Sequence, residues 1–369
     1  MSRYESKEAI LELGNTNPEF AEVRDIRTPR LRFLTLNQFL AQAGDVPNPP
    51  MSAMAAAFKQ NPPPKPPSTE IEYTKEIPMR DGYSSELRIH HPSKSSTDTR
   101  AMFVLIHGGG FCLGNNFIHS YQSRAIASLH NVTVVNLSYR LAPEHKFPAG
   151  PNDVWDSLKW LSQEANAKEL GCDLSLGFYI GGVSAGGNLS AVTAQRWVSE
   201  KCMPKLTGVW ACIPYLLEEE IVPIQYKGFY LARKQNADAM VINKDAMDFV
   251  LDTYNPDLSS PAFSPFQAEH PHTGMPPVYI QVAGQDPLRD DGLIYEKALR
   301  AHGVSTRLEV YPGLPHAFDG IFRELKVSRK SMFDTLMGIG WLTKKNIDPK
   351  LCENLVEESY VATPSVRPI

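Results

Sequence analysis

Apolar positions change their period along this chain. Near the N-terminus Phe33, Leu36, Phe39 and Leu40 recur at three- and four-residue spacing, which predicts an amphipathic helix with ordinary packing as its role. NPPPKPPSTE (Asn61 to Glu70) can continue neither helix nor sheet, so it reads as a connector. From Ile71 the period falls to two. IEYTKEIPM and SSELRIHH alternate about the turn Arg80-Asp81-Gly82, which predicts an antiparallel pair. AMFVLIHGGG and NVTVVNLSYR are apolar without alternation, and further strands are predicted at Gly177 to Val183, Leu206 to Ile213, VYIQVAG and TRLEVY. Helical segments separate them: HSYQSRAIASLHN, Asn152 to Ala167, one starting near Ser184, GLIYEKALRAHG, and a long terminal helix from Ile321 to Lys345. Apolar strands divided by helices predict an α/β fold with a mostly parallel sheet covered on both faces.

One interval breaks this rhythm. From about Leu216 to Gln267 no strand is evident, and fifty residues are too many for a plain loop in a compact domain. The interval follows a strand, so it falls over the C-terminal edge of the sheet, where open α/β sheets bind ligands. With the N-terminal helices it is expected to form a cap. The resulting division is 1–68 (cap segment and Pro-rich linker), 69–215 (core, first part), 216–267 (cap insertion), 268–348 (core, second part) and 349–369 (tail). The acidic run Glu218-Glu219-Glu220 reads as a solvated face.

Composition narrows the function classes. Among 369 residues, 37 Lys+Arg stand against 41 Asp+Glu, a formal charge of −4 without a basic run, so nucleic acid is not an expected partner. No apolar run approaches the roughly 18 residues that cross a bilayer. MSRYESKEAILELG lacks an h-region and SVRPI is neither a prenylation box nor a peroxisomal address, which leads to the expectation of a soluble cytoplasmic protein without membrane insertion. Five scattered cysteines with no C-x-x-C pair point to buried thiols rather than a disulfide framework or a metal site. Cys112 is read as a packing residue.

Three segments carry chemistry. Gly182-Val183-Ser184-Ala185-Gly186 fits G-x-S-x-G between a strand and a helix, where the sharp turn lifts the serine hydroxyl clear and small neighbours let the chain pass close to itself. His107-Gly108-Gly109-Gly110 follows a strand, and bare backbone N–H groups there stabilise an oxyanion. The expected donors are Gly108, Gly109 and Ala185, with His107 holding the loop. A phosphate loop is set aside, because neither G-x-G-x-x-G nor a following Lys-Ser/Thr is present. Downstream, an acid and a base are needed in the order Ser, Asp, His. Asp286 in GQDPLRDDG and His316 in GLPHAF each follow a strand. Asp290 and Asp291 read as helix caps, and His145, His270, His272 and His302 have weaker positions. Ser184 would attack, His316 would carry its proton, and Asp286 would fix the imidazole tautomer.

HGGGF, SYRLAPEHKFPAG, GVSAGGN, DPLRDDG and HAF occur in an order that resembles the hormone-sensitive-lipase family of α/β-hydrolases, over about Ala101 to Phe318. The resemblance implies an α/β-hydrolase fold with an eight-stranded sheet, a helical cap, and carboxylester hydrolysis with no metal or organic cofactor. By position it makes Ser184, Asp286 and His316 the triad and Gly108, Gly109 and Ala185 the oxyanion donors. Two positions depart from it: Val183 precedes the nucleophile and Ser138 precedes the Tyr-Arg pair, where the family has Asp.

The leading expectation is a serine carboxylesterase for a short or medium acyl group or a compact hydrophobic ester, with Phe111, Trp210, Phe229 and Tyr230 as pocket liners. An alternative keeps the site and changes the reaction to elimination, lactone formation or carbon–carbon condensation on a natural-product intermediate. A receptor-like binding module is disfavoured, because all three triad residues are present. An exposed edge strand or the terminal helix would serve a homodimer.

Overall fold

The computed structural model describes residues 4–24, 69, 71–92 and 99–361. The stripe at Phe33 to Leu40 and most of the Pro-rich connector lie outside the described residues.

Eight strands form one sheet: β1 (Glu72–Pro78), β2 (Ser84–His90), β3 (Met102–Ile106), β4 (Thr133–Leu137), β5 (Phe178–Val183), β6 (Gly208–Cys212), β7 (Val278–Ala283) and β8 (Thr306–Tyr311). Their spatial order is β1-β2-β4-β3-β5-β6-β7-β8. β1 pairs with β2, and β2 with β4, antiparallel, while every later pairing is parallel. The α/β-hydrolase fold read from the sequence is therefore the observed one. The β1–β2 hairpin turns at Gly82, whose φ of 84° suits a residue without Cβ.

The strands sort their side chains between two cores. On β3, Met102, Val104 and Ile106 face one apolar cluster, and Phe103 and Leu105 face the other. The first cluster is completed by α3 (Ala149–Leu161), α5 (Ala185–Ser199) and α8 (Arg289–Ala301). The second is completed by α2 (Ser120–His130), α10 (Lys326–Thr343) and α11 (Pro349–Val361). Burial on both faces explains why β3 and β6 read as apolar runs, and why β4 and β7 do so apart from the buried Thr133, Asn136 and Gln281.

Three local readings differ from the structure. The helix expected over Asn152 to Ala167 is α3 followed by the short α4 (Glu164–Glu169). The terminal helix is α9 (Phe318–Ile321) and α10, broken where Phe322 and Leu325 turn inward to 1% exposure each. The final segment begins as a helix, α11, packed on α2 and α10. The interval 216–267 contains α6 (Ala232–Gln235), α7 (Lys244–Tyr254) and 3-10 turns, with no strand among its residues. Among the described residues no helix is long and apolar enough to cross a membrane.

Candidate active site

Close approach of backbones builds the nucleophile turn. Ser184 sits between β5 and α5 at φ 58°, ψ −118°, a conformation a non-glycine residue holds only when its surroundings enforce it. A Cβ on Gly186 would lie 2.1 Å from the Ile106 carbonyl oxygen, and one on Gly182 would lie 2.3 Å from the Gly186 oxygen. Both glycines are thus required by space. The Ser184 amide donates to the Cys212 carbonyl at 2.8 Å, which ties the turn to β6.

The glycine loop lies against this turn. A Cβ on Gly108 would stand 2.8 Å from the Val183 carbonyl oxygen and 3.2 Å from Ser184 Cβ. Gly109 has φ 115° and Gly110 φ 58°. His107 is the loop's internal brace: its Nδ1–H donates to the Gly108 carbonyl at 2.7 Å, and its ring stacks on Tyr139 at 4.3 Å. The Tyr139 hydroxyl donates back to the His107 carbonyl at 3.1 Å. Burial lowers His107 to about 3, so the ring is neutral and holds the loop without exchanging protons. Ala185 is the first residue of α5, where an N–H has no acceptor inside the helix. Of the residues expected to supply oxyanion donors, Gly108 thus lies against the nucleophile turn and Ala185 follows Ser184 directly.

The acid and base come together from separate loops. His316 Nε2 is 2.9 Å from Ser184 Oγ, and His316 Nδ1 is 2.7 Å from Asp286 Oδ2. A carboxylate only accepts, so Nδ1 carries the proton and Nε2 offers its lone pair to the serine hydroxyl. Asp286 is fully buried, and its Oδ1 accepts from the Leu288 amide at 2.8 Å. Among the described residues no cluster of three or more metal-ligating side chains occurs.

Other expected residues are placed differently. Phe111 (1% exposed) stacks on Tyr254 at 4.1 Å, and Trp210 (0%) donates its indole N–H to Gln281 inside the sheet. Among the described residues both rings are enclosed by protein. Phe229 takes the Lys297 ammonium on its face, and Tyr230 donates to the Leu217 carbonyl. The first contact ties the interval 216–267 to α8, and the second stays within the interval. Asp290 and Asp291 lie inside the first turn of α8 and cap the insertion instead of their own helix. Asp290 accepts from the amides of Leu231 (2.5 Å) and Ala232 (2.6 Å), and Asp291 from those of Leu216 (2.8 Å) and Leu217 (3.0 Å). Glu218 is not fully solvated either, since it accepts from the Tyr215 hydroxyl at 2.6 Å and pairs with Arg233. Cys112 is buried, which pushes its thiol up to about 12 and keeps it protonated. His272 is buried in an aromatic cluster with Phe266, Tyr295 and His302.

Arg233 and Asn236 gave no signal in the sequence. Arg233 donates to the carbonyls of Pro287 and Leu217 and pairs with Asp291, while Asn236 donates to the Asp286 carbonyl at 2.9 Å. Both belong to the interval 216–267, yet they hold the loop that carries Asp286. Val183 is half-buried and packs onto the second apolar cluster, so the position before the nucleophile is apolar here. Ser138 bonds through its backbone to Glu86 and Ser85 of β2.

Known proteins share this arrangement. A family model described as the alpha/beta hydrolase fold matches residues 103–320. The AB hydrolase superfamily protein B1A11.02 of Schizosaccharomyces pombe is 36% identical over 266 residues, 72% of this chain and 78% of that protein. Carboxylesterase NlhH of Mycobacterium tuberculosis is 37% identical over 226 residues, 60% of this chain and 67% of its own length. The crystal structure of vibralactone cyclase superposes with a TM-score of 0.77 at 32% identity, covering 90% of this chain and 96% of the cyclase. This chain belongs to the hormone-sensitive-lipase-like family of α/β-hydrolases and is a serine hydrolase.

Proposed function

We propose that the protein is a carboxylesterase that works through an acyl-enzyme. The observation that carries this reading is the unbroken relay from Ser184 Oγ through His316 to Asp286, at 2.9 and 2.7 Å. Ser184 attacks the ester carbonyl as His316 takes its proton. The oxyanion is held by the amides of Gly108, Gly109 and Ala185, and His316 returns the proton to the departing alcohol. Water then releases the acid by the same steps in reverse. The preferred substrates are short or medium acyl esters or compact hydrophobic esters. The test is a p-nitrophenyl ester series from acetate upward. Turnover should peak at short chains and fall by about 10⁴-fold or more in Ser184→Ala, a variant expected to fold normally. Full activity in that variant would refute the mechanism.

A second reading is supported by the likeness to vibralactone cyclase over nine-tenths of the chain. The same acyl-enzyme is resolved by a hydroxyl of the acyl group itself. Its oxygen bonds to the acyl carbon, its proton passes to His316, and Ser184 leaves with that proton as a lactone departs. Turnover of the natural substrate in ¹⁸O-water separates the two. Label in the product supports hydrolysis, and an unlabelled product supports ring closure.

A further inference from the structure

The catalytic acid and base loops are held by a segment about 270 residues earlier in the chain. The Gly313 amide donates to the Leu13 carbonyl at 2.7 Å, and the Asn17 amide donates to the Gly313 carbonyl at 3.2 Å. Gly313 is three residues before His316. The Gln285 side chain, next to Asp286, donates to the Gly14 carbonyl at 3.0 Å and to Thr16 Oγ1 at 2.8 Å. The same residue's amide reaches the His316 loop, donating to the Leu314 carbonyl at 2.8 Å. Residues 13–17 therefore touch both loops where the loops touch each other.

The fit is close enough to dictate residue type. A Cβ on Gly284 would lie 2.0 Å from the Leu13 oxygen, and one on Gly313 would lie 2.2 Å from the Asn15 oxygen. Gly313 also has φ 70°. The segment is fastened on its outer side as well. Gln235 of the cap donates to the Leu11 carbonyl at 2.8 Å, and Glu5 pairs with Lys297 and Arg300 of α8. Both ends of the contact are fixed, so the strand of chain between them has a defined position against the loops.

We propose that residues 13–17 are a strap that sets the separation of the Asp286 and His316 loops, with Gln285 as the positioning residue that couples the strap to the catalytic acid. The inference rests on the triad reading above. Gln285 touches neither substrate nor reacting atoms; it acts through Asp286. Loss of its two side-chain bonds frees the peptide that leads into Asp286, while the fold's apolar clusters are left whole. The chemical step should suffer and ester binding should not, because misplacing a catalytic group by a fraction of an ångström acts on the barrier.

The test is steady-state kinetics on the full chain with Gln285→Met, Thr16→Val and the double variant, beside Ser184→Ala. Gln285→Met should lose about tenfold in kcat with KM within about twofold and an unfolding temperature close to the parent's. Thr16→Val should lose less, because Gly14 still accepts. The double variant should be no worse than Gln285→Met alone, since Thr16 acts only through Gln285. Phosphonate labelling of Ser184 should slow by the same factor as kcat. An unchanged kcat in folded Gln285→Met, or a loss confined to KM, would overturn the strap while leaving the triad reading intact. Activity in Ser184→Ala would instead overturn the triad reading itself.

Discussion

The glycine loop and the acid–base loops differ in how far away in sequence their partners lie. Residues 107–114 are held mostly from within: His107 donates to Gly108, the Cys112 and Leu113 amides donate to the Gly109 carbonyl, and Gly114 leaves room for the His107 ring. The loop at 284–291 has internal bonds as well, from the Leu288 and Arg289 amides to Asp286 and from the Arg289 side chain to the Gly284 carbonyl. It and the loop at 313–317 are in addition held from outside, by the interval 216–267 through Arg233 and Asn236 and by residues 13–17 through Gln285 and Gly313. A loop that braces itself is local in sequence. A loop braced by others depends on segments that have no chemistry of their own.

Substitutions can separate these two designs. The largest effect is expected where the self-braced region meets the nucleophile. Gly186→Ala drives a methyl into the Ile106 carbonyl and should destabilise the protein by about 3 kcal/mol or cost more than about 10²-fold in kcat/KM. Urea unfolding and ester turnover would read both, and an unchanged variant would mean that the two backbones are free to part. A smaller but distant effect is expected from Arg233→Met, which strips the Asp291 carboxylate and the Pro287 carbonyl of their partner. Turnover should fall about tenfold although Arg233 lies in the cap, and loss of a partly buried ion pair should lower stability by about 3 kcal/mol. Turnover equal to the parent's would show that the externally braced loop keeps its shape unaided.

The smallest effect at neutral pH, and the most diagnostic, belongs to His107→Asn. Its side-chain amide can replace the donor to Gly108 but does not titrate. In the parent, burial depresses His107 from 6.5 to about 3. The unfolded chain therefore binds a proton that the folded one refuses, and stability falls as pH drops from about 6.5 toward 3. The urea midpoint of the variant should fall less steeply over that window and match the parent's slope above pH 7. Identical slopes throughout would mean that His107 is solvated in the native loop.

The same contrast explains what was legible in the sequence. Ser184, Asp286 and His316, which the structure brings together, were legible because each motif is short and its requirements are met by adjacent residues. The central strands were legible because burial on both faces leaves largely apolar runs, and the first two because they alternate. The partners of Phe111 and Trp210 were not legible, because an aromatic residue near a motif looks the same whether its ring faces a cavity or, as here, Tyr254 and Gln281. Asp290 and Asp291 do resemble caps, but the amides they cap lie some 60 to 75 residues away. The break before α10 has no Gly or Pro at Phe322 to Leu325, and only the burial of those two residues explains it. Gln285 and Arg233 had no pattern to show, since their partners are carbonyls that any residue would supply.

The strap also sets an order of events. Gly14 and Gln285 are separated by 271 positions, so their bond is among the most non-local in the molecule. During synthesis at about 5–20 residues per second, residues 13–17 emerge many seconds before the loops they will hold. They must wait, unpartnered, until β7, β8 and the turn at Gly313 have been made. A nascent chain thus carries a finished nucleophile turn well before it has a working base. The triad is complete only once segments some 270 residues apart in the chain have met.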